Sequence, residues 1–141
     1  MSRSSYPLTI DNKNQLKPKL PLKLTNPENG KCISVLALVD SGAEKCTFPM
    51  MIAINLGIPL NKSTESKTRT AGISGQGLET YSFKIKIDIL NMQRNSIVKT
   101  MNLEVSFIKN NSIPPLVGTA DFLENFNLMI NYPQKSLTLE W

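Results

Sequence analysis

Residues 35–43 read Val-Leu-Ala-Leu-Val-Asp-Ser-Gly-Ala, an apolar run that ends in a single carboxylate at Asp40. Such a run is typical of a buried strand, which delivers its next residue to the end of a sheet. A carboxylate placed there is costly unless it is hydrogen-bonded or used in chemistry. Ser41 offers a hydroxyl and Gly42 a backbone that turns sharply, so both suit a loop that holds the Asp40 side chain.

The length and composition are those of a globular protein. The chain has 141 residues, enough for one domain with a hydrophobic core. No apolar run approaches the ~20 residues that span a bilayer, and the N-terminus lacks the apolar core of a signal peptide. The sequence therefore predicts a cytoplasmic protein without a membrane segment. The net charge is +5, but the lysines are scattered and aromatic residues are few, which disfavours nucleic-acid binding by a small β-barrel.

The lack of histidine and the small number of cysteines restrict the kinds of catalytic and metal sites that this chain can form. The chain has no histidine, which excludes Ser-His-Asp and Cys-His catalysis within one chain, as well as histidine-based metal sites. The two cysteines, Cys32 and Cys46, have neither the spacing nor the partners of a zinc site. We therefore expect carboxylate chemistry, with no metal and no cofactor.

The hydrophobic pattern predicts a mostly β protein. Apolar residues alternate with polar ones, or form short runs between turns, and this predicts strands at 20–24, 32–39, 83–89, 101–107, 113–118, 128–132 and 136–141. A short helix is predicted at 49–57, between a proline and a closing glycine, and a second, capped one at 119–126. Residues 61–71 are polar and predict a loop. Residues 1–18 form a polar arm or outer strand, and 19–141 form the single domain.

Three motifs in order resemble the retropepsin-like aspartic proteases, the single-lobed enzymes of retroviruses, retrotransposons and bacteria. They are Asp-Ser-Gly-Ala at 40–43, a glycine-rich segment at 72–77 and Leu-Val-Gly at 116–118. The resemblance covers roughly residues 20–141. It implies a small, closed, barrel-like acid-protease lobe, mostly β with one or two short helices. Each motif alone also fits an ordinary turn, loop or core segment.

The resemblance assigns a role to each residue of the first motif. Asp40 would be the catalytic carboxylate, with its side chain held by the N–H of Gly42. Ser41 would lock the active-site loops of two chains together. Ala43 is small enough to let a substrate approach.

The other two motifs would form the walls of the substrate site. The glycine-rich segment would be a flap that closes over an extended peptide, made of Gly72, Ile73, Ser74, Gly75, Gln76 and Gly77. The third motif would form a pocket floor, with Leu116 and Val117 lining it and Gly118 packed beneath the Asp40 loop.

A single Asp-Ser-Gly motif implies a homodimer. The mechanism of the family needs two carboxylates, and Asp11, Asp88 and Asp121 lack the flanking turn. The second carboxylate would then come from Asp40 of an identical chain, and the resemblance implies a homodimeric aspartic endopeptidase. The alternative is a catalytically inactive dimerisation or peptide-binding module of the same fold.

One departure from the retroviral pattern affects the dimer. The retroviral enzymes pair an Arg after the second glycine with an Asp after the Ala, whereas this chain has Thr119 and Glu44. That ion pair is absent, which leaves the terminal strands or Trp141 to stabilise a dimer.

Overall fold

The structure, a computed structural model, describes the backbone of residues 1–60, 67–70 and 78–141 and the side chains of residues 1–60 and 80–141. The described strands are β1 (Arg3–Pro7), β2 (Thr9–Ile10), β3 (Leu16–Lys17), β4 (Lys19–Thr25), β5 (Cys32–Val39), β6 (Thr47–Pro49), β7 (Lys67–Thr70), β8 (Leu78–Leu90), β9 (Ile97–Ile108), β10 (Leu116–Val117), β11 (Asn127–Asn131) and β12 (Ser136–Glu140). The described helices are α1 (Met50–Asn55) and a 3₁₀ turn at Leu123–Asn125. The predicted fold class, mostly β with one or two short helices, is confirmed.

The main sheet closes on itself. Its strand order is β4-β5-β10-β6-β9-β8-β7, and an additional pairing of β4 with β8 joins six of the strands into a ring. Most neighbours are antiparallel, but β10 runs parallel to β5 and β6 runs parallel to β9. Ring closure leaves few open edges, which is how small β proteins avoid pairing with other chains.

The alternating pattern of β8 and β9 fills the ring with apolar side chains. Ile85, Ile87 and Ile89 of β8 are fully buried, while Lys84, just before them on the strand, is exposed. Val105 and Phe107 on β9 are buried in the same core. The strands predicted at 83–89 and 101–107 are confirmed, and they pair antiparallel over most of their length as one long hairpin.

The predicted helix after the Asp40 loop is confirmed as α1. Gly57 follows its end with a φ of 66°, a left-handed conformation that glycine adopts at low cost. The side-chain amides of Asn26 and Asn29, in the β4–β5 turn, both donate to the carbonyl of Leu56. The turn therefore caps the C-terminal end of α1.

Two local predictions are wrong. Residues 67–70 lie in the predicted loop, but they form β7, an edge strand paired with β8. The predicted capped helix at 119–126 is reduced to the 3₁₀ turn, which has no side-chain cap. The reason is that Asp121 has a φ of 63°, which breaks the helical path, and the Thr119 hydroxyl contacts backbone carbonyls elsewhere.

The N-terminal residues pack against the end of the chain. β1, β12 and β11 form a three-stranded antiparallel sheet in that order, which we call the terminal sheet. Tyr6 of β1 is 3 % exposed, and its hydroxyl donates to the carbonyl of Leu90 at the end of β8. Leu137 and Leu139 of β12 are fully buried in the shared core. The terminal sheet is thus fastened to the ring.

Candidate active site

The Asp40 loop begins where β5 leaves the ring. The Asp40 N–H donates to the Val117 carbonyl at 3.0 Å, continuing the parallel pairing of β5 with β10. One and two residues earlier, the Val39 N–H donates to Pro18 and the Leu38 N–H to Pro115. The backbone that presents the carboxylate is therefore fixed from both sides.

The carboxylate is oriented by its own loop. The Gly42 N–H donates to Oδ1 of Asp40 at 3.0 Å, and the Ala43 N–H donates to the Asp40 carbonyl at 3.1 Å. A Cβ on Gly42 would lie 3.3 Å from that same Oδ1, so a larger residue would crowd the carboxylate. Asp40 is half-buried. Among the described residues, Oδ2 has no donor and stays available.

Gly118 makes the closest approach beneath the loop. A Cβ built there would lie 2.7 Å from the carbonyl oxygens of both Ala43 and Lys45. Contacts of this kind, against fixed backbone, cannot be relieved by a side-chain rotation. The position therefore requires glycine because two stretches of backbone touch.

The residues after Gly118 hold the far side of the loop. The Thr119 N–H donates to the Ala43 carbonyl at 2.9 Å, and the Ala120 N–H donates to Glu44 at 2.7 Å. The Thr119 hydroxyl lies 3.3 Å from the Ala43 carbonyl oxygen and 3.4 Å from that of Glu44. Sequence reasoning missed these contacts because they are made mostly by backbone groups, which leave no residue signature.

The structure brings the first and third motifs together. Ser41 and Gly42 are exposed, whereas Ala43 is half-buried. Leu116 is 9 % exposed, and Val117 is fully buried in the core. The predicted flap residues 72–77 lie outside the described residues. The assignments of the flap, the pocket floor and the loop-locking serine stay predictions.

Two other carboxylates, those of Asp88 and Asp11, make contacts that are typical of structural residues. Asp88 is 2 % exposed, and it accepts a hydrogen bond from the Thr100 hydroxyl at 2.6 Å. Asp11 lies in the β2–β3 turn, where the N–H groups of Gln15 and Lys13 lower the pKa of its carboxylate. Within the described ranges, no group of three metal-ligating side chains converges.

Cys46 lies next to the loop but is chemically quiet. It is fully buried, and burial raises the pKa of its thiol to about 11, although the backbone of Gly118 opposes this shift. The thiol is therefore protonated at neutral pH and is a poor nucleophile. Cys32 is exposed and free.

A cavity of about 520 Å³ lies away from Asp40. It is lined mainly by polar side chains of β8, of β9 and of residues 121–125, including Lys84, Lys99, Glu104, Asp121 and Glu124. The cavity contains no residue of the Asp40 loop, so we do not place the chemistry there.

Comparisons with known proteins give matches to solved structures. Neither protein-family models nor curated protein sequences match this chain. A retropepsin-like aspartic protease from Rickettsia conorii superposes with a TM-score of 0.65 at 16 % identity, covering 98 % of this chain and 91 % of that chain. EIAV protease, in complex with the inhibitor HBY-793, has a TM-score of 0.52 at 15 % identity, covering 83 % and 93 %.

A third structure extends the comparison. The retroviral protease-like domain of Ddi1 from Leishmania major has a TM-score of 0.52 at 18 % identity, covering 86 % of this chain and 88 % of that chain. The fold is therefore that of a single-lobe acid protease. Within that class, it is the retropepsin-like fold, as the three motifs predicted.

No helix in the described part of the chain has the length and apolarity to cross a membrane.

Proposed function

We propose that this protein is a homodimeric aspartic endopeptidase whose catalytic dyad consists of Asp40 from each of two chains. The observation that carries the proposal is the Asp40 loop. Its carboxylate is oriented by the Gly42 N–H on one oxygen and is accessible, while the backbone below is fixed by Val117. A structural carboxylate such as Asp88 is instead buried and bonded to a neighbouring side chain.

The chemistry follows from two carboxylates that share one proton. The ionised Asp40 takes a proton from a water molecule, whose oxygen attacks the scissile carbonyl carbon of the peptide. The protonated Asp40 donates its proton to the carbonyl oxygen, which gives a neutral tetrahedral diol. Collapse of the diol breaks the C–N bond, and a carboxyl proton goes to the leaving amine. The substrate is a peptide bound in an extended conformation.

The principal test is removal of the carboxylate. Asp40→Asn is nearly isosteric and should fold normally, but cleavage of a peptide library should fall below about one per cent of wild type, since acid–base catalysis is worth about 10²–10⁴-fold. The matched control is Asp11→Asn, which keeps an acceptor oxygen in the β2–β3 turn and should retain wild-type activity. Circular dichroism of both variants checks the fold.

A mixing experiment tests the shared dyad. Wild-type chains mixed with excess Asp40→Asn protein should lose activity as mixed dimers form, whereas excess bovine serum albumin should leave it unchanged. Activity should also be bell-shaped in pH with an acidic optimum, because one proton must be present on the dyad and a second must be absent. Full activity in the presence of Asp40→Asn chains would contradict a dyad built from two chains.

The alternative, a non-catalytic module, has its own signature. Folded wild-type protein that binds extended peptides, or dimerises, but cleaves no member of the library would establish it. Loss of peptide cleavage on addition of a metal chelator would contradict both the proposed endopeptidase and the non-catalytic module, because neither uses a metal.

A further inference from the structure

Two asparagines of the β4–β5 turn hold the end of α1, and they differ in the residue that follows each. The side-chain amides of Asn26 and Asn29 donate to the same acceptor, the Leu56 carbonyl, at 2.9 and 3.1 Å. Asn26 is 1 % exposed and is followed by Pro27. Asn29 is exposed and is followed by Gly30. The one Asn-Gly dipeptide of the sequence therefore lies in a contact that fixes α1.

An asparagine that precedes glycine is open to a reaction with its own backbone. The nitrogen of the next residue attacks the side-chain carbonyl carbon Cγ and closes a five-membered succinimide ring. The bond from Cγ to the amide nitrogen breaks, and ammonia leaves with the proton that the attacking nitrogen gives up. Water then opens the ring at either carbonyl carbon, which gives aspartate or isoaspartate. Glycine favours ring closure because it has no Cβ, whereas proline prevents it because it has no N–H.

The surroundings of Asn29 favour the attack. The Lys31 N–H donates to Oδ1 of Asn29 at 2.9 Å, which polarises the carbonyl and makes Cγ more electrophilic. The Lys31 ammonium is also close, because a Cβ built on Gly57 would lie 2.8 Å from Nδ2 of Asn29 and 3.5 Å from Nζ of Lys31. A positive charge there stabilises the negative charge that develops on the oxygen. The Gly30 N–H donates to the Asn26 carbonyl at 2.8 Å, so its nitrogen attacks when this bond opens.

The product would reverse the contact with α1. An amide donates hydrogen bonds, but an ionised carboxylate only accepts them, so the bond to the Leu56 carbonyl is lost and the oxygens repel. The C-terminal end of a helix also carries partial negative charge, which disfavours a carboxylate there. The Lys31 ammonium offsets part of this repulsion, and Asn26 stays as the remaining donor of the two.

We propose that Asn29 is a site of spontaneous deamidation in the folded protein, and that the carboxylate formed there loosens the C-terminal end of α1. The reaction consumes only water and releases ammonia, so it needs no enzyme and is independent of the proposed peptidase activity. It is irreversible, and the modified form therefore accumulates with the age of the molecule.

A time course of incubation tests the site. Folded wild-type protein is kept at mildly alkaline pH, digested and mapped by tandem mass spectrometry, with isoaspartate identified by an isoaspartate-specific methyltransferase. Conversion at Asn29 should be at least about ten-fold faster than at Asn95, a barrier difference of about 1.4 kcal/mol. Asn95 is the matched control, because it is also exposed in a hairpin turn but precedes Ser96. Equal rates at the two positions would overturn the proposal.

Two neighbouring changes test the route. Asn26 should stay unmodified in the same peptide, because Pro27 cannot close the ring. Asn29→Gln keeps an amide but has one more methylene, so its ring would be larger and its conversion should fall to the rate of Asn95 or below. Conversion of Asn26, or a glutamine at 29 that loses ammonia at the wild-type rate, would show that the succinimide route does not operate.

Hydrogen exchange of Asn29→Asp tests the consequence for α1. The N–H groups of Gly57 and Ile58, which donate to Ile54 and Ala53, should exchange about two- to ten-fold faster, the change expected from losing one hydrogen bond. Asn95→Asp is the matched control. It adds the same charge and keeps an acceptor for the Asn91 amide, so exchange in α1 should match wild type. Unchanged exchange in Asn29→Asp would overturn the loosening of α1.

Discussion

The Asp40 loop and the outer edge of β11 use their backbone groups in opposite ways. Around the loop, the N–H groups of Asp40, Thr119 and Ala120 donate to carbonyls of the same chain, and the backbone of Gly118 touches the loop from below. Along β11, one edge is paired with β12, and the other has no described partner strand.

The Asp40 loop is therefore complete within one chain, whereas the outer edge of β11 is left open. The loop is held by hydrogen bonds within the chain, and this is the preorganisation that the proposed chemistry would require. The outer edge of β11 has no partner strand among the described residues, so its outward backbone groups are open to water or to another strand. Under the proposed function, one chain carries one half of the catalytic site, and activity would depend on assembly with a second chain.

Gly118→Ala is expected to have the largest effect, because it should disturb the Asp40 loop without changing the β11 edge. The new Cβ would lie 2.7 Å from two backbone carbonyl oxygens, so the loop must shift, with a loss of stability of about 1–3 kcal/mol. Peptide cleavage should fall with the loop geometry, while the dimer dissociation constant should change little. Urea unfolding, the cleavage assay and sedimentation measure the three quantities.

The control for Gly118→Ala is Gly30→Ala. Gly30 has a φ of 77° and no atom within 4 Å of a built Cβ, so alanine there costs about 1–2 kcal/mol through backbone strain alone. It should lower the free energy of unfolding and leave the activity of the folded protein intact. Equal activity in the two variants would mean that Gly118 does not position the loop.

An intermediate effect is expected in the terminal sheet from Tyr6→Phe. The variant loses the hydrogen bond to the Leu90 carbonyl, so the free energy of unfolding at neutral pH should fall by about 0.5–1.5 kcal/mol. Tyr132→Phe, on an exposed residue, is the matched control and should be neutral. Urea titrations of the two variants give the difference.

The same tyrosine makes stability depend on alkaline pH. Burial raises the pKa of Tyr6 above its ordinary value of 10.0, and the Ser4 hydrogen bond opposes this in part. The folded state thus favours the protonated phenol, and the associated stability is complete below pH 10 and is lost as the pH rises through the raised value. Tyr6→Phe should flatten that loss. An unchanged alkaline slope would show that another group controls it.

The smallest effect concerns the two thiols. Cys32 is exposed and should react with a thiol reagent at once, whereas Cys46 is buried with a raised pKa and should react only as the loop opens. A Cys32→Ser variant isolates the slow thiol. Gly118→Ala should speed its labelling, because Gly118 packs over that region. Two fast thiols in wild type would show that the loop is not held as described.

Much of the fold follows from local pattern. The β8–β9 hairpin, the strand that ends on Asp40 and helix α1 with Gly57 after it are all confirmed, because alternation, apolar runs and helix-ending glycine act over a few residues. The failures lie where tertiary contacts override local preference. Polar residues 67–70 are a strand because β8 offers an edge. The helix predicted from Thr119 is lost because that residue bonds to the Asp40 loop instead.

The candidate site, like the fold, was only partly predictable from the sequence. The sequence by itself predicted the type of chemistry, because a chain without histidine that has a lone Asp-Ser-Gly after an apolar run favours carboxylate chemistry. Only the tertiary structure decided that Gly118 lies against Ala43 and that β11 ends a sheet with an open edge. Both depend on backbone atoms that are remote in sequence, and backbone atoms are the same in every residue.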